Sequence, residues 1–306
     1  MRVLVTGASG LLGINVALEA RQDHTVIGLV NTLNLREAPF EIRTADLLEA
    51  GIIERLLDDI RPDWVIHCAA LANLEACERA PALAAQINTE VPRKLALHVA
   101  RGGARLLHIS TDAVFDGQRG NYRETDRPNP LSVYARTKLE AEQAVLEVDP
   151  TAIVARVNLF GWSLTGKRSL AEWFFNNLSA GKTVMGFTDV YFCPLLANHL
   201  AHILIEMLTR KLTGLFHVVS SECIPKYDFG IALARQFGLD EGLISPASVA
   251  QAGLKAARSP NLTLRNAKLA QALQQAIPNV STGLQGFYTL YQQGFPQKLR
   301  ALTEIP

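Results

Sequence analysis

Cysteine is scarce in this chain and shows no pattern: Cys68, Cys77, Cys193 and Cys223 include no C-x-x-C pair or other metal-ligand spacing. That excludes a zinc or iron–sulfur framework readable from spacing, and no metal centre is expected. Isolated cysteines are commonly small buried hydrophobes, so free thiols in a reduced, cytoplasmic setting are the expectation. Net charge is almost absent, because 30 Lys+Arg against 29 Asp+Glu leave +1 at pH 7. No global field would draw nucleic acid or an anionic membrane, so any phosphate binding has to be local. No apolar run is long enough to span a bilayer, and Met1-Arg2 leads directly into a strand-like run without a basic and apolar leader. A soluble, unexported protein is expected. Internal repeats and low-complexity segments are also missing. What remains is 306 residues, more than one typical domain needs.

Short β-rich runs alternate with helical ones through the first half, the pattern of an α/β fold with a doubly wound parallel (Rossmann) sheet. Strands are predicted at Arg2–Thr6, Thr25–Val30, Phe40–Arg43, Trp64–His67, Arg105–Ser110, Ala152–Val157 and Gly214–Val219. Residues 1–160 read as the dinucleotide-type domain, with strands returning within about 187–220. The segments 161–186 and 221–306 break the alternation and read as a small substrate lobe built from separated pieces.

The run Val3-Leu4-Val5 leads into Thr6-Gly7-Ala8-Ser9-Gly10-Leu11-Leu12-Gly13 and then a helical pattern to about Arg21. Strand, glycine turn and helix stand in the order that binds a pyrophosphate at a helix N-terminus. Gly7 would allow the tight turn, Gly10 the approach of backbone to phosphate, and Gly13 close packing of helix on strand. The spacing is G-x-x-G-x-x-G, and an ordinary glycine-rich turn is the bland alternative.

A second constellation follows. Tyr134 and Lys138 lie four apart, hence on one helical face, and Ser110-Thr111-Asp112 closes the preceding strand. A phenol titrates near ~10, so a neighbouring ammonium is needed to make it a useful acid or base at neutral pH. Lys138 would supply that charge, and the Thr111 hydroxyl could bind the same oxygen. This is apparatus for interconverting a ketone and an alcohol. Ligands in an open parallel sheet sit at the carboxyl ends of the strands, which puts Gly7, Ala69, Thr111 and Arg156 on one rim.

On these motifs, together with Asp46 in TADLLE, VIHCAA at 65–70, Asn88, and STDAVFDG at 110–117, the chain resembles the extended short-chain dehydrogenase/reductases. CERAPALAAQIN and the stretch from STDAVFDG through YARTKLEAE are most similar to the dTDP-4-dehydrorhamnose reductase branch. The resemblance implies Thr111, Tyr134 and Lys138 as the catalytic set, with Tyr134 the proton donor. It implies cofactor contacts from Gly7, Ser9, Gly10, Leu11, Leu12, Gly13, Asn31, Asp46, Leu47, Ala69, Ala70 and Asn88, with Tyr134 and Lys138 also touching the nicotinamide ribose. Substrate contacts are expected from Asp112, Ala113, Asn158, Leu159, Trp162 and Arg168. Ala113 and Ala135 depart from that branch, which has an aromatic residue and a glycine there. Leu159 departs more seriously, standing where the branch has a sugar-holding Trp, and the neighbouring Trp162 is a candidate substitute.

The second strand ends in Val30-Asn31-Thr32 without the acid that an NAD-selective ribose site uses, so NADP(H) is favoured and NAD(H) remains open. Arg36 could meet a 2′-phosphate. Lys167, Arg168 and Arg258 could hold a nucleotide diphosphate, or be solvated loop charges. His67 and His108 are expected as structural histidines bonded to backbone. The loop from Asp116-Gly117 to Pro130 is a candidate lid. The function expected is reduction of a keto group on a nucleotide-linked deoxysugar. The alternatives are a dinucleotide-binding regulatory subunit like that of methionine adenosyltransferase, or a nucleotide-sugar epimerase or dehydratase. A homodimer is an open alternative to a monomer.

Overall fold

The computed structural model of the chain describes residues 1–33, 35–252 and 259–303. Seven strands make one sheet: β1 (Arg2–Thr6), β2 (Thr25–Val30), β3 (Glu41–Thr44), β4 (Trp64–His67), β5 (Arg105–Thr111), β6 (Ile153–Val157) and β7 (Gly214–Val218). Their spatial order is β7-β6-β5-β4-β1-β2-β3, with every neighbouring pair parallel. All seven strands expected from the sequence are present, with ends displaced by one residue at most. β4 and β6 are buried throughout, which is why their sequences read as continuous apolar runs rather than alternating ones. β3, at the edge, is largely exposed and carries Glu41 and Arg43.

Helices cover both faces. On one, Leu12, Val16 and Ala17 of the Leu11–Ala20 helix pack with Leu200, Leu204 and Met207 of the Ala197–Thr209 helix over Val5, Ile66 and Ala155. On the other, Ile53, Leu57, Leu95, Val99 and Val145 cover Leu4, Val65 and Leu106. A third core gathers Phe160, Trp162, Phe174, Phe229 and Phe287, and continues beneath the glycine turn through Ala8, Ile14 and Val30. Among the described residues no helix is long and apolar enough to cross a membrane, and no cluster of His, Cys, Asp and Glu could hold a metal ion.

The expectation of four free thiols is corrected. Cys193 and Cys223 form a disulfide, and Cys68 and Cys77 are free. The two partners flank an antiparallel pairing of Phe192 with Ile224, a contact between segments that local sequence does not announce.

The strand order reverses between β1 and β4, so the crevice of the sheet opens at their carboxyl ends.

Candidate active site

At the end of β1 the chain turns at Gly7 with φ +67°, where a Cβ would stand 2.8 Å from Ala69 Cα. Gly13 is constrained from the other side: a Cβ there would lie 2.1 Å from the Gly7 carbonyl oxygen, so only glycine lets this helix come so close. Gly10 is the N-cap, with no side-chain cap and no acid in the first turn. The leading amides of the helix are therefore open to an anion, and its dipole favours one. Beside them lies a groove of ≈ 440 Å³ lined by Gly7, Ser9, Gly10, Asn31, Asp46, Leu47, Ala69 and Ala70, all named from sequence. Thr32, Ala45, Cys68, Leu71 and Ile87 also line it and were not named as contacts, although each flanks a residue that was. Turn, uncapped helix end and groove fit a dinucleotide.

Leu11, Leu12, Gly13 and Asn88 are not among the residues lining the groove. Leu12 and Gly13 are buried in the packing behind it. Asn88 sits in a single π-helical stretch, Gln86–Glu90, and is 1% exposed. It accepts from Leu71 N (2.8 Å) and donates to Leu71 O (3.1 Å) and Thr137 Oγ1 (3.2 Å). Asn88 therefore ties the groove wall to the helix that carries Tyr134, without facing the groove itself.

That helix, Val133–Val148, begins at Ser132, whose hydroxyl accepts from Ala135 N. Tyr134 and Lys138 follow one turn apart, and Thr111 arrives from the end of β5. Burial pushes the phenol up to about 12, against a smaller lowering by the neighbouring Thr111 hydroxyl, which itself donates to Asp112 Oδ1 (3.1 Å). Lys138 is 3% exposed, and burial brings it down to about 8. Its Nζ donates to Ile109 O (2.6 Å) and to His108 Nε2 (3.2 Å). The expected lowering of the phenol by Lys138 is corrected: burial dominates, Asp112 and Cys77 raise it further, and the lowering comes from Thr111. Tyr134 stands protonated at neutral pH, which suits a proton donor. Beside it, burial raises Asp112 to about 6, against the opposing effects of Asn158, Thr111 and the charge of Lys226. Asn158 Nδ2 donates to Asp112 Oδ2 at 2.5 Å. Lys226 was not read from sequence. It reaches Asp112 from a helix more than a hundred residues downstream, and no local pattern marks it.

Thr6, His67 and His108 are in register across β1, β4 and β5. His67 Nδ1 lies 2.7 Å from Thr6 Oγ1, and the two imidazoles stack with centroids 5.4 Å apart. Burial brings His67 down to about 3 and His108 well below its usual value, so both rings are neutral. The expectation that they bond backbone is corrected, since their partners are the side chains of Thr6 and Lys138. A neutral His108 facing an ammonium accepts through Nε2 and therefore carries its proton on Nδ1.

Several expected residues lie elsewhere. Arg156 does not face the cleft; it is 2% exposed and grips Glu142 of the Tyr134 helix through Nε (2.9 Å) and Nη2 (2.6 Å). Trp162 cannot replace a sugar-holding aromatic, because it stacks on Phe287 at 3.9 Å and donates Nε1–H to Phe287 O. Leu159 is partly buried against the core, and Ala113 is partly exposed beside Asp112. Arg168 lines the dinucleotide groove, whereas Lys167 is exposed and outside that lining. Arg36 is also absent from the lining. Arg258 lies outside the described residues. The loop after Val114 is pinned to itself: Tyr122 stacks on Phe115 at 4.1 Å, and Asp116 accepts from Tyr122 Oη (2.7 Å) and Asn129 Nδ2 (2.9 Å).

The model of the RmlD substrate binding domain matches residues 1–293. A probable low-salt glycan biosynthesis reductase, Agl14, of Haloferax volcanii is 35% identical over 266 residues, 84% of this chain and 87% of that protein. Methionine adenosyltransferase 2 subunit beta of Bos taurus is 33% identical over 255 residues, 80% of this chain and 75% of that protein. The crystal structure of a dTDP-4-dehydrorhamnose reductase from Clostridium acetobutylicum superposes with a TM-score of 0.82 at 25% identity, covering 95% of this chain and all of that one. The chain belongs to the RmlD substrate binding domain family, within the extended short-chain dehydrogenase/reductase oxidoreductases.

Proposed function

We propose that this protein reduces a keto group on a nucleotide-linked deoxysugar, with NADPH or NADH in the groove of the glycine turn. The observation that supports the reading is the meeting of Tyr134 with Thr111 at the end of β5, with Lys138 one turn further along the same helix. The reduced nicotinamide, when bound, supplies the hydride. Tyr134 gives its Oη proton to the oxygen of the former ketone, and Thr111 Oγ1 holds that oxygen by a hydrogen bond. Lys138, kept as an ammonium by Ile109 O and His108, balances the negative charge left on the phenol. The glycine turn and the open helix end hold the pyrophosphate, and Asn31 and Asp46 stand where a ribose or adenine would lie.

Likeness to a methionine adenosyltransferase subunit supports a second reading, a dinucleotide-binding regulatory chain. The complete set Thr111, Tyr134 and Lys138 favours the reductase. A panel of nucleotide-4-keto sugars, followed by loss of reduced-coenzyme absorbance, separates the two. Turnover with one of them is expected, and coenzyme binding without turnover on any would favour the regulatory reading.

A further inference from the structure

The groove beside the glycine turn has one charged side chain of each sign among its described lining residues, Asp46 and Arg168. Arg168 comes from neither a strand end nor the glycine turn. It belongs to the loop between Phe160 and the Leu170–Ser179 helix, which packs on the third core. That loop is held rigidly. Glu172, wholly buried, accepts from the backbone N–H of Ser163 (2.6 Å), Arg168 (2.8 Å) and Ser169 (3.1 Å), and from the Ser163 hydroxyl (2.9 Å). A buried carboxylate is tolerated only when hydrogen-bonded in this way, and here its partners fix the backbone of Arg168 itself. From the groove side, Asn15 of the glycine-turn helix donates to Trp162 O at 3.1 Å, fastening the start of the loop to the helix whose N-terminus faces the groove. The backbone of Arg168 is anchored, and its side chain is exposed at the groove wall.

We propose that Arg168 is a ligand of the dinucleotide's phosphates, reaching across the groove from the far side; the proposal rests on reading this groove as the dinucleotide site. The pyrophosphate brings about two negative charges, and a 2′-phosphate adds up to about two more. Backbone amides at Gly7 to Gly10 offer only partial positive charge, and Asp46 opposes. A guanidinium supplies full charge in a planar fork that matches two phosphate oxygens. Arg36, the candidate from sequence, does not line the groove, so Arg168 takes the phosphate-reading role expected of it.

The test is equilibrium titration of the whole chain with NADPH and with NADH, followed by the fluorescence of the reduced nicotinamide, for wild type, Arg168→Ala, Arg168→Lys and Lys167→Ala. Arg168→Ala keeps the backbone bond to Glu172, and an unchanged melting temperature confirms the fold. It is expected to weaken coenzyme binding by about 10- to 100-fold, the range for a charged hydrogen bond. Arg168→Lys should recover part of the loss, and Lys167→Ala should bind like wild type. An equal loss with both coenzymes assigns Arg168 to the pyrophosphate, and a loss confined to NADPH assigns it to the 2′-phosphate; either supports the proposal. Wild-type affinity for both coenzymes in Arg168→Ala overturns it while leaving the dinucleotide site intact. A wild-type protein that binds neither coenzyme overturns the dinucleotide reading and this proposal together.

Discussion

Lys138 Nζ donates to His108 Nε2 across 3.2 Å of buried space, so the ammonium of the Tyr134 helix is held by a neutral imidazole of β5. Burial has already lowered Lys138 to about 8. The ammonium is the form that balances a phenolate, so turnover should be full below that value and fall as pH rises through it. An acceptor facing the charged form favours that form. His108→Leu should therefore move the alkaline limb of the pH–rate profile to lower pH, and His108→Gln, whose amide oxygen can accept in place of Nε2, should move it back. A limb that stays in place in His108→Leu would show that the imidazole does not hold Lys138.

The Cys193–Cys223 disulfide predicts a thiol count. Protein denatured without reductant should alkylate at Cys68 and Cys77 alone, giving two adducts by mass spectrometry. Removing the bond in Cys223→Ser should cost about 2–4 kcal/mol in denaturant unfolding, the usual effect of opening a loop of this size. Four adducts without reductant would contradict the pairing.

The parts of the molecule that were legible in the sequence are those determined locally. All but the exposed edge strand β3 announce themselves because buried parallel strands need β-branched and apolar runs between turns. Tyr134 and Lys138 announce themselves because a shared helical face is a matter of spacing four. Arg156 misled because its place at a strand end is visible, whereas the buried Glu142 that turns it inward is a tertiary fact. The Cys193–Cys223 bond depends on the pairing of Phe192 with Ile224, and the place of Arg168 on a loop folded back across the glycine-turn helix. Neither leaves a periodic signal. The Ser169-x-x-Glu172 capping box was readable, and would have marked where the loop carrying Arg168 ends.

Leu159 sets an expectation for substrate. Packed partly buried against the core, it has neither the aromatic face nor the N–H that a tryptophan would give a sugar, and Trp162 is sequestered in the core. dTDP-4-dehydrorhamnose should therefore be turned over with a specificity constant below ~10⁴ M⁻¹s⁻¹, under the ordinary range for native substrates. Leu159→Trp should raise it. Steady-state kinetics with that sugar check both expectations, and a constant at or above that range in the wild type would contradict the first.

The central claim is that hydride passes to a sugar ketone while Tyr134 donates the proton. The most direct measurement is a single turnover with reduced coenzyme deuterated at nicotinamide C4 and a nucleotide-4-keto sugar accepted in the panel, comparing wild type with Tyr134→Phe. The account predicts deuterium bonded to C4 of the product sugar. It also predicts a rate lower by about two to four orders of magnitude in Tyr134→Phe, with coenzyme affinity unchanged. Product without deuterium at C4, or Tyr134→Phe turning over like wild type, would contradict it.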